Sequence, residues 1–434
     1  MMRKCSLTFS LLLVVIIPVL LLGVGSGGAD EDNTRNGRSV SLLTTIPIPG
    51  LVVFDISWVD PGTQLYYLAD RSNAAIEVID AKRDLFVRQI KPTGTQAFKG
   101  FTGDNNTSGP NGVVVSPDGR WLFVTDANSR VVSIDLTTDQ IVGDVHTGGA
   151  DGLRTDELAY DPRDGILLVV NNADDPPFAT LITVNKQNGH LTVGPRITFD
   201  VAHGVDATNG AEQPVWDPGT GKFYVSIPEV NCPGGHNTPP TPPCGGGFHE
   251  GAVVRIDPQS SGAVDTPLFS VESCQPAGLA LGPHQDLLLG CSIVFDTIGK
   301  AWNPADTNPA APVQVVLDAK TGAIDKRVAG VGGSDQVWFN SGDRRYYTAS
   351  RADPLGPVLG VVDAENQSLI QLVPTFNTPS TSPAPRGTAH SVAVNPRNNH
   401  VFVPLPANNV ATSICRNGCV AVFGPPKSEQ EDDD

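Results

Sequence analysis

Seven related stretches of this chain each begin at a position that could contribute to chemistry or binding. Four of the leading residues are carboxylates, one is an amide, one is an imidazole and one is an alanine: Asp55, Asn111, Asp156, Glu212, Ala277, Asp335 and His390. Carboxylate and amide oxygens are the ligands that Ca²⁺, Mg²⁺ and Mn²⁺ prefer. A histidine beside such an ion could act as a general acid or base, because free imidazole titrates near neutrality. The seven stretches therefore predict one shared site, provided that the fold brings their first residues together.

The stretches are copies of one structural unit. Each has an apolar strand, a turn that usually carries Pro with Gly or Asp, and a second strand rich in aromatic residues, as in NGVVVSPDGRWLFVTD from Asn111 and HSVAVNPRNNHVFVPL from His390. A third strand commonly ends in Asp, and a fourth follows another turn. Short alternating runs between turn residues are typical of antiparallel strands, so each unit is predicted to be a four-stranded meander. The 45 glycines and 37 prolines suit such a turn-rich, all-β chain.

The number of units predicts how the meanders are arranged. A single meander cannot bury both of its faces, but meanders arranged radially bury one another. The sequence therefore predicts a seven-bladed β-propeller of four-stranded antiparallel blades, in one domain spanning residues 39–425. The seventh unit has only three strands, whereas residues 39–49 form an extra strand ahead of the first unit. Pairing this N-terminal strand as the outer strand of the last blade closes the ring and removes an open sheet edge.

One copy carries a family resemblance. The stretch SPDGRWLFVTDANSRVVSIDLTTDQIVGDV resembles the repeats of the YVTN-type propeller family, and the other copies resemble these and the related NHL repeats more loosely. The resemblance spans residues 39–425 and implies a fold more than a function, since such repeats occur in binding proteins, lactonases and lyases. Virginiamycin B lyase and the gluconolactonase group use a metal at the channel mouth, with a nearby histidine in the lyase and an acidic residue in the lactonases. Similarity in kind to them implies a metal site at Asp55, Asp156, Glu212 and Asp335, with His390 as the catalytic acid or base.

Further candidates extend the predicted mouth. Two insertions, residues 231–251 and 295–312, interrupt the fourth and fifth units between the second and third strands, on the face where the first strands begin. His203 precedes the fourth unit on the same face and is a second candidate for catalysis. The expected ligand-binding residues are Asn111, Gln275, Glu157, Gln213, Gln336 and, within the first insertion, His249.

The same residues also have a structural interpretation. Asp and Asn ahead of a strand often cap turns, and polar groups lining a channel often only hold water. Against this, like charges in a confined mouth repel one another, so either some carboxyls have raised pKa values or a cation neutralises them. Two functions stay open: a binding or scaffold protein that takes a small ligand or divalent cation at an acidic mouth, and a metal-dependent lyase or lactone hydrolase.

The first 29 residues predict export. A basic start at Arg3 and Lys4, an apolar run from Leu11 to Leu22 and small residues up to Ala29 have the order of a signal peptide, with a retained membrane anchor as the alternative. Six cysteines follow this segment, an even number that favours disulfides, and the near neighbours are 232 with 244, 274 with 291, and 415 with 419. Their irregular spacing does not favour zinc. We therefore expect a secreted or periplasmic protein.

The chain is acidic. Removing the signal peptide would take away two basic residues and leave 46 acidic against 27 basic ones, a formal charge of −19. Nucleic acid is therefore not expected as a partner. A small molecule or another secreted protein is expected instead, with no membrane contact after cleavage and a monomeric state. Residues 426–434 (PKSEQEDDD) predict a disordered acidic tail that aids solubility.

Overall fold

Every sheet of the fold is a four-stranded antiparallel meander. The computed structural model describes residues 39–233, 250–375, 390–408, 413 and 415–426. The strands are numbered in chain order and grouped in blades: Ser57–Asp60, Leu65–Asp70, Ala75–Asp80 and Leu85–Ile90 (β2–β5, blade 1); Val113–Val115, Trp121–Asp126, Arg130–Asp135 and Gln140–His146 (β6–β9, blade 2); Leu158–Asp161, Ile166–Asn171, Phe178–Val184 and Leu191–Thr198 (β10–β13, blade 3); Pro214–Asp217, Lys222–Ile227, Glu250–Ile256 and Asp265–Glu272 (β14–β17, blade 4); Pro276–Leu281, Asp286–Cys291, Val313–Asp318 and Ile324–Ala329 (β18–β21, blade 5); Val337–Asn340, Arg345–Ser350, Val358–Asp363 and Ser368–Pro374 (β22–β25, blade 6); Ala393–Asn395, His400–Leu405 and Cys419–Gly424 (β26–β28), with Ser41–Pro47 (β1), in blade 7.

The blades form a closed ring. The first strand of each blade contacts the first strand of the next, and β2 of blade 1 contacts β26 of blade 7. Strand β1 pairs antiparallel with β28, so the last blade is completed by the first strand of the described chain. This confirms the predicted seven-bladed propeller and its closure by the N-terminal strand. Both insertions interrupt their blades where the sequence predicts them, between β15 and β16 and between β19 and β20.

Helical structure is confined to single turns in the described part of the chain. Four short 3-10 helices occupy connections between strands: Gly94–Gln96, Asn105–Thr107, Val201–His203 and Pro283–Gln285. None of the described helices has the length and apolar character needed to cross a membrane.

Capped turns separate the strands within each blade. The carboxylate of Asp60, at the end of β2, accepts the backbone N–H groups of Gly62 and Thr63 at 3.1 and 2.9 Å. Asp217 caps the equivalent turn of blade 4 in the same way. The fifth residue of that turn is Gly221, whose φ of +68° lies in the left-handed region that glycine tolerates best. The repeated Asp and Gly positions of the sequence therefore fix where each strand ends.

The hydrophobic core lies between neighbouring blades. Leu168 and Val170 of blade 3, for example, pack with Phe223 and Val225 of blade 4, and all four side chains are buried. Because each sheet is covered on both faces by its neighbours, the second and third strands of most blades are almost fully buried. The outer strands are more exposed. In every blade the pairing between the third and the fourth, outermost strand contains a register shift, which increases local twist and makes an edge less suitable for pairing with another chain.

Two of the three predicted cysteine pairs are formed. Cys274 and Cys291 form a disulfide with their Cα atoms 4.9 Å apart, and both are fully buried. Cys415 is paired with Cys419 at a Cα separation of 5.4 Å. The third predicted pair includes Cys244, which lies outside the described residues, as do the predicted signal peptide, the acidic tail beyond residue 426 and His249.

Candidate functional site

The leading residues of the seven units occupy equivalent positions at one end of the central channel. In five of them the backbone N–H donates to a carbonyl of the second strand of the same blade, at 2.8–2.9 Å: Asp55, Asn111, Asp156, Glu212 and Asp335. In these five blades the first strand starts two residues later and runs away from this end. The side chains therefore start from the same level of the ring, as the repeat predicts.

A cavity of about 240 Å³ lies at this end of the channel, and it is called the mouth cavity below. All four predicted metal-binding carboxylates line it, together with three other predicted site residues: Asp55, Asp156, Glu212, Asp335, Glu157, Gln275 and His390. The structure thus brings together residues from blades 1, 3, 4, 5, 6 and 7. Their function is a separate matter that depends on the contacts they make.

Three arginines also line the mouth cavity, and sequence reasoning missed them. They are Arg71, Arg154 and Arg351. Arg71 and Arg351 directly follow the second strands of blades 1 and 6, β3 and β23, and Arg154 stands two residues before Asp156. The second strand of a blade returns to the end where the first strand begins. The residue after it was therefore the signal that could have identified Arg71 and Arg351.

Asp55 has more cationic partners than any other carboxylate of the mouth cavity. Arg71 donates to Oδ2, Arg154 lies 3.2 Å from the same oxygen, and Nε2 of His390 lies 2.9 Å from Oδ1. Burial alone would raise the pKa of Asp55, but the charges of Arg71, His390 and Arg154 lower it well below its ordinary value. Asp55 is therefore held as a carboxylate by the protein's own cations.

His390 joins two blades through two carboxylates. Its Nδ1 lies 2.7 Å from Oδ2 of Asp335, and its Nε2 contacts Asp55. Arg351 contacts Asp335 at 3.0 Å and lies 3.1 Å from the imidazole. Burial would lower the pKa of His390, but Asp335 and Asp55 outweigh burial and raise it to about 9. The ring is therefore an imidazolium at neutral pH that donates from both nitrogens. In turn, Arg351 and His390 lower the pKa of Asp335 to about 2, although burial alone would raise it.

The remaining carboxyls have raised pKa values. Burial raises the pKa of Asp156 to about 7, although Arg154 lies 2.9 Å from it. Burial and the neighbouring carboxylates Asp156 and Asp335 raise the pKa of Glu212 to about 8. Glu157 is only 6% exposed, and burial raises its pKa well above the ordinary value. The chain itself therefore relieves the repulsion among the carboxylates of the mouth cavity. Arginines neutralise some of these carboxylates, and others are protonated.

Four other predicted residues have mainly structural contacts. Asn111 is fully buried and accepts from Nε of Arg71 at 2.9 Å, so it orients that arginine. The carbonyl oxygen of the Gln336 side chain accepts from Ser391 and from the amide of Val392, which ties blade 6 to blade 7. Gln213 accepts from the amide of Leu279 and lines the channel below the mouth cavity. Gln275 lines the mouth cavity, with its amide 3.5 Å from Glu229.

His203 does not join the group. It lies in the 3-10 helix Val201–His203, its side chain is 47% exposed, and its Nδ1 contacts Asp200 at 2.5 Å. It is not among the residues that line the mouth cavity. His203 lies in the connection before blade 4, as the sequence predicts, but it is exposed there rather than in the mouth cavity.

Two further cavities adjoin the mouth cavity. One, of about 320 Å³, extends between blades 2, 3 and 4, is rich in asparagine and shares Arg154 and Glu212 with the mouth. The other, of about 370 Å³, is the central channel itself; its lining is mainly apolar, and it shares Ile56 and Glu157 with the mouth. Polar and apolar binding surfaces therefore meet at Glu157.

Binding of a divalent metal ion at the mouth stays a prediction. Within the residues that the structure describes, no three His, Cys, Asp or Glu side chains are grouped so that they could hold one metal ion. Three of the mouth carboxylates, Asp55, Asp156 and Asp335, contact arginines or His390. A scan against models of known protein families and a search of curated proteins both found no match. The function therefore has to be inferred from the site itself.

Proposed function

We propose that this propeller is a binding protein whose mouth cavity takes a small polar ligand carrying charges of both signs. The observation that carries the proposal is the contrast between saturated and accessible charges at the mouth. Asp55, Asp156 and Asp335 are engaged by arginines or His390, whereas the Glu212 carboxyl has no such partner among the described residues and the Arg351 side chain is 55% exposed. A zwitterion could meet both accessible groups at once, because its cationic end would favour the ionised form of Glu212.

The balance of charge in the cavity favours such a ligand. Five carboxyls and four basic groups line it, so the mouth is not a purely acidic ring. A simple cation would approach Arg351 and His390, and a simple anion would approach the ionised carboxylates of Asp55 and Asp335. In either case one like charge would lie close to the ligand, at a cost that an internally neutral ligand avoids. The asparagines of the adjoining cavity add hydrogen-bonding groups beside Glu212.

The contacts of His390 favour binding over the catalytic alternative. A general base needs a ring nitrogen that is free to accept a proton. Both nitrogens of His390 contact carboxylates, and these contacts raise its pKa to about 9. A metal-dependent lyase or lactone hydrolase would need this arrangement to open before His390 could act as a base, so we propose the lyase or hydrolase only as the alternative.

Compartment and family belong to the same proposal. The buried Cys274–Cys291 disulfide supports an oxidising compartment, and the predicted signal peptide would deliver the chain to one, as a secreted or periplasmic protein. The likeness of its second repeat to YVTN-type and NHL propellers is consistent with a ligand-binding role at the channel mouth. A small molecule is the proposed partner, with another secreted protein as the second possibility.

Isothermal titration calorimetry with amino acids and small betaines would test the proposal, with neutral sugars, dicarboxylates and the chlorides of Ca²⁺, Mg²⁺ and Mn²⁺ as comparison ligands. We expect a zwitterion to bind. Glu212→Gln and Arg351→Gln should each weaken its binding about tenfold, which is the scale of one charge-assisted contact. Arg344→Gln and Glu365→Gln are matched controls, because these residues form an exposed ion pair that does not line the mouth cavity. Binding of a divalent cation with no zwitterion binding would contradict the proposal and support the predicted metal site.

A further inference from the structure

The central channel below the mouth is an aromatic cavity that opens on the opposite face. Its lining includes Trp58, Trp216, Trp338, Tyr160 and Phe339, so three of the five tryptophans of the chain line one cavity. All three are only partly buried, although they belong to the innermost strands. Large apolar side chains that face an open cavity leave contact area unused, which is the usual character of a ligand pocket.

The far end of the channel is accessible. Pro117 and Pro162 line it, both are exposed, and both lie in turns that follow the first strands of blades 2 and 3. These turns are at the end of the strands away from the mouth cavity. A ligand could therefore enter the channel without passing the ion pairs around His390.

Glu157 is the one carboxylic acid among the described residues that line this channel. It is 94% buried, since its exposed fraction is 6%, and its carboxyl has no hydrogen-bond or ion-pair partner within the described residues. Its strongest electrostatic neighbours are other carboxylates, Asp156 and Glu212 first. A buried polar group without a partner costs free energy that a ligand group could recover.

We infer that the channel is a second binding site, adjoining the mouth cavity at Glu157, for a small aromatic amine whose ring lies among the tryptophans and whose ammonium group reaches Glu157. The volume of about 370 Å³ suits a ligand of one or two rings. An ammonium group between indole rings gains from their negative faces, and its contact with the ionised form of the Glu157 carboxyl is a charge-assisted hydrogen bond. Trp58 and Trp338 already contact each other edge to face, with ring centroids 4.8 Å apart, so they form a rigid wall for the ligand.

Three naphthalene probes of similar size distinguish this site from a channel that binds apolar molecules nonspecifically. The probes are 2-naphthylmethylamine, 2-naphthylmethanol and 2-naphthoate, titrated into the full chain with tryptophan fluorescence and calorimetry as readouts. We expect the amine to bind at least about tenfold more tightly than the alcohol, and the anion not to bind. Glu157→Gln, which preserves shape, should remove the preference for the amine and leave binding of the alcohol unchanged.

Matched variants locate the site. Trp338→Leu should weaken binding of the amine about tenfold. Trp302→Leu removes a tryptophan that does not line the channel, and it should leave this binding unchanged. Arg351→Gln at the mouth should also leave binding of the amine unchanged, so this inference and the zwitterion proposal can fail independently. Equal binding of amine and alcohol, an unchanged preference in Glu157→Gln, or absence of binding by all three probes would overturn the inference. If Glu157→Gln fails to fold, filling the channel with Val115→Phe must abolish amine binding for the inference to stand.

Discussion

At the scale of single residues, His390 connects parts of the chain that are far apart in sequence. It contacts Asp55, which is 335 positions away, and Asp335 of the neighbouring blade. Its position at the predicted mouth and the ordinary titration range of imidazole predict only a role in the site, so that replacing His390 would leave folding nearly intact. The contacts change that expectation, since loss of the imidazolium leaves two buried carboxylates with one fewer cation.

The pH dependence of stability should reveal this contact. The pKa of His390 is raised to about 9, so its stabilising contribution is complete below pH about 6.5 and is lost as the pH rises through 9. We expect His390→Gln to lower the free energy of unfolding by on the order of 2 kcal/mol at pH 6.5, and the difference from the parent to narrow by pH 10. Urea unfolding at both pH values would check this. A difference that does not change with pH would show that the imidazole contributes by packing alone.

Glu212 should respond to pH in a way that also tests the metal prediction. Burial raises its pKa from 4.5 to about 8, so the unfolded chain loses this proton at a lower pH than the folded protein does. Glu212 therefore costs stability progressively between pH 4.5 and about 8, and Glu212→Gln removes the cost. The variant should melt at about the same temperature as the parent at pH 5 and at a higher temperature at pH 9. Calorimetry with Ca²⁺, Mg²⁺ and Mn²⁺ on the same two proteins completes the test. A cation that binds the parent and not the variant would restore the predicted metal site, and the melting difference would then reverse when the cation is added.

At the scale of elements, the strands could be predicted and the ion pairs could not. Each strand boundary carries a local signal, such as Asp60 or Gly221 at a turn, and seven copies reinforce one another. The leading polar residues were found because they occupy the same place in each copy. The arginines follow no such pattern: the residue after the second strand is Arg only in blades 1 and 6, so Arg71 and Arg351 are visible as partners only once the ring has brought blades 1, 6 and 7 together.

The two described disulfides should differ in their effect on stability. Cys274 and Cys291 are 17 residues apart and Cys415 and Cys419 only 4, so the chain-entropy model assigns about 3 kcal/mol to the first and about 2 kcal/mol to the second. We expect the double Ser variant at 274 and 291 to lose more stability in denaturant titrations. The first disulfide also precedes Gln275 and Ser292 at the mouth cavity, so the same variant should weaken mouth ligands. Equal losses from the two double variants would contradict the loop-length argument.

At the scale of the whole molecule, the ring depends on β1. Its Ile46 is buried with Tyr66 and Leu68 of blade 1 and with Val420 and Val422 of blade 7, so one strand supports both sides of the closure. A variant lacking residues 41–47 should lose several kcal/mol of stability and expose the edge of β28, which other chains could then pair with. Melting temperature and light scattering would report both effects. A variant lacking residues 427–434 is the length control, and a strand deletion that behaves like this control would show that β1 is dispensable.

The pairing of β1 with β28 also sets an order of events during synthesis. About 370 residues separate Pro47 from its partner Cys419, so a ribosome adding 5 to 20 residues per second needs about 20 to 75 s to make the partner. In that interval six blades can form while the first strand waits unpaired. Its composition suits the delay: Thr44 and Thr45 lie near its centre, and Ile46 is the one residue of the strand that ends fully buried. A strand that is weakly apolar can remain in solvent without attracting the edges of nascent neighbours, and it joins the ring last.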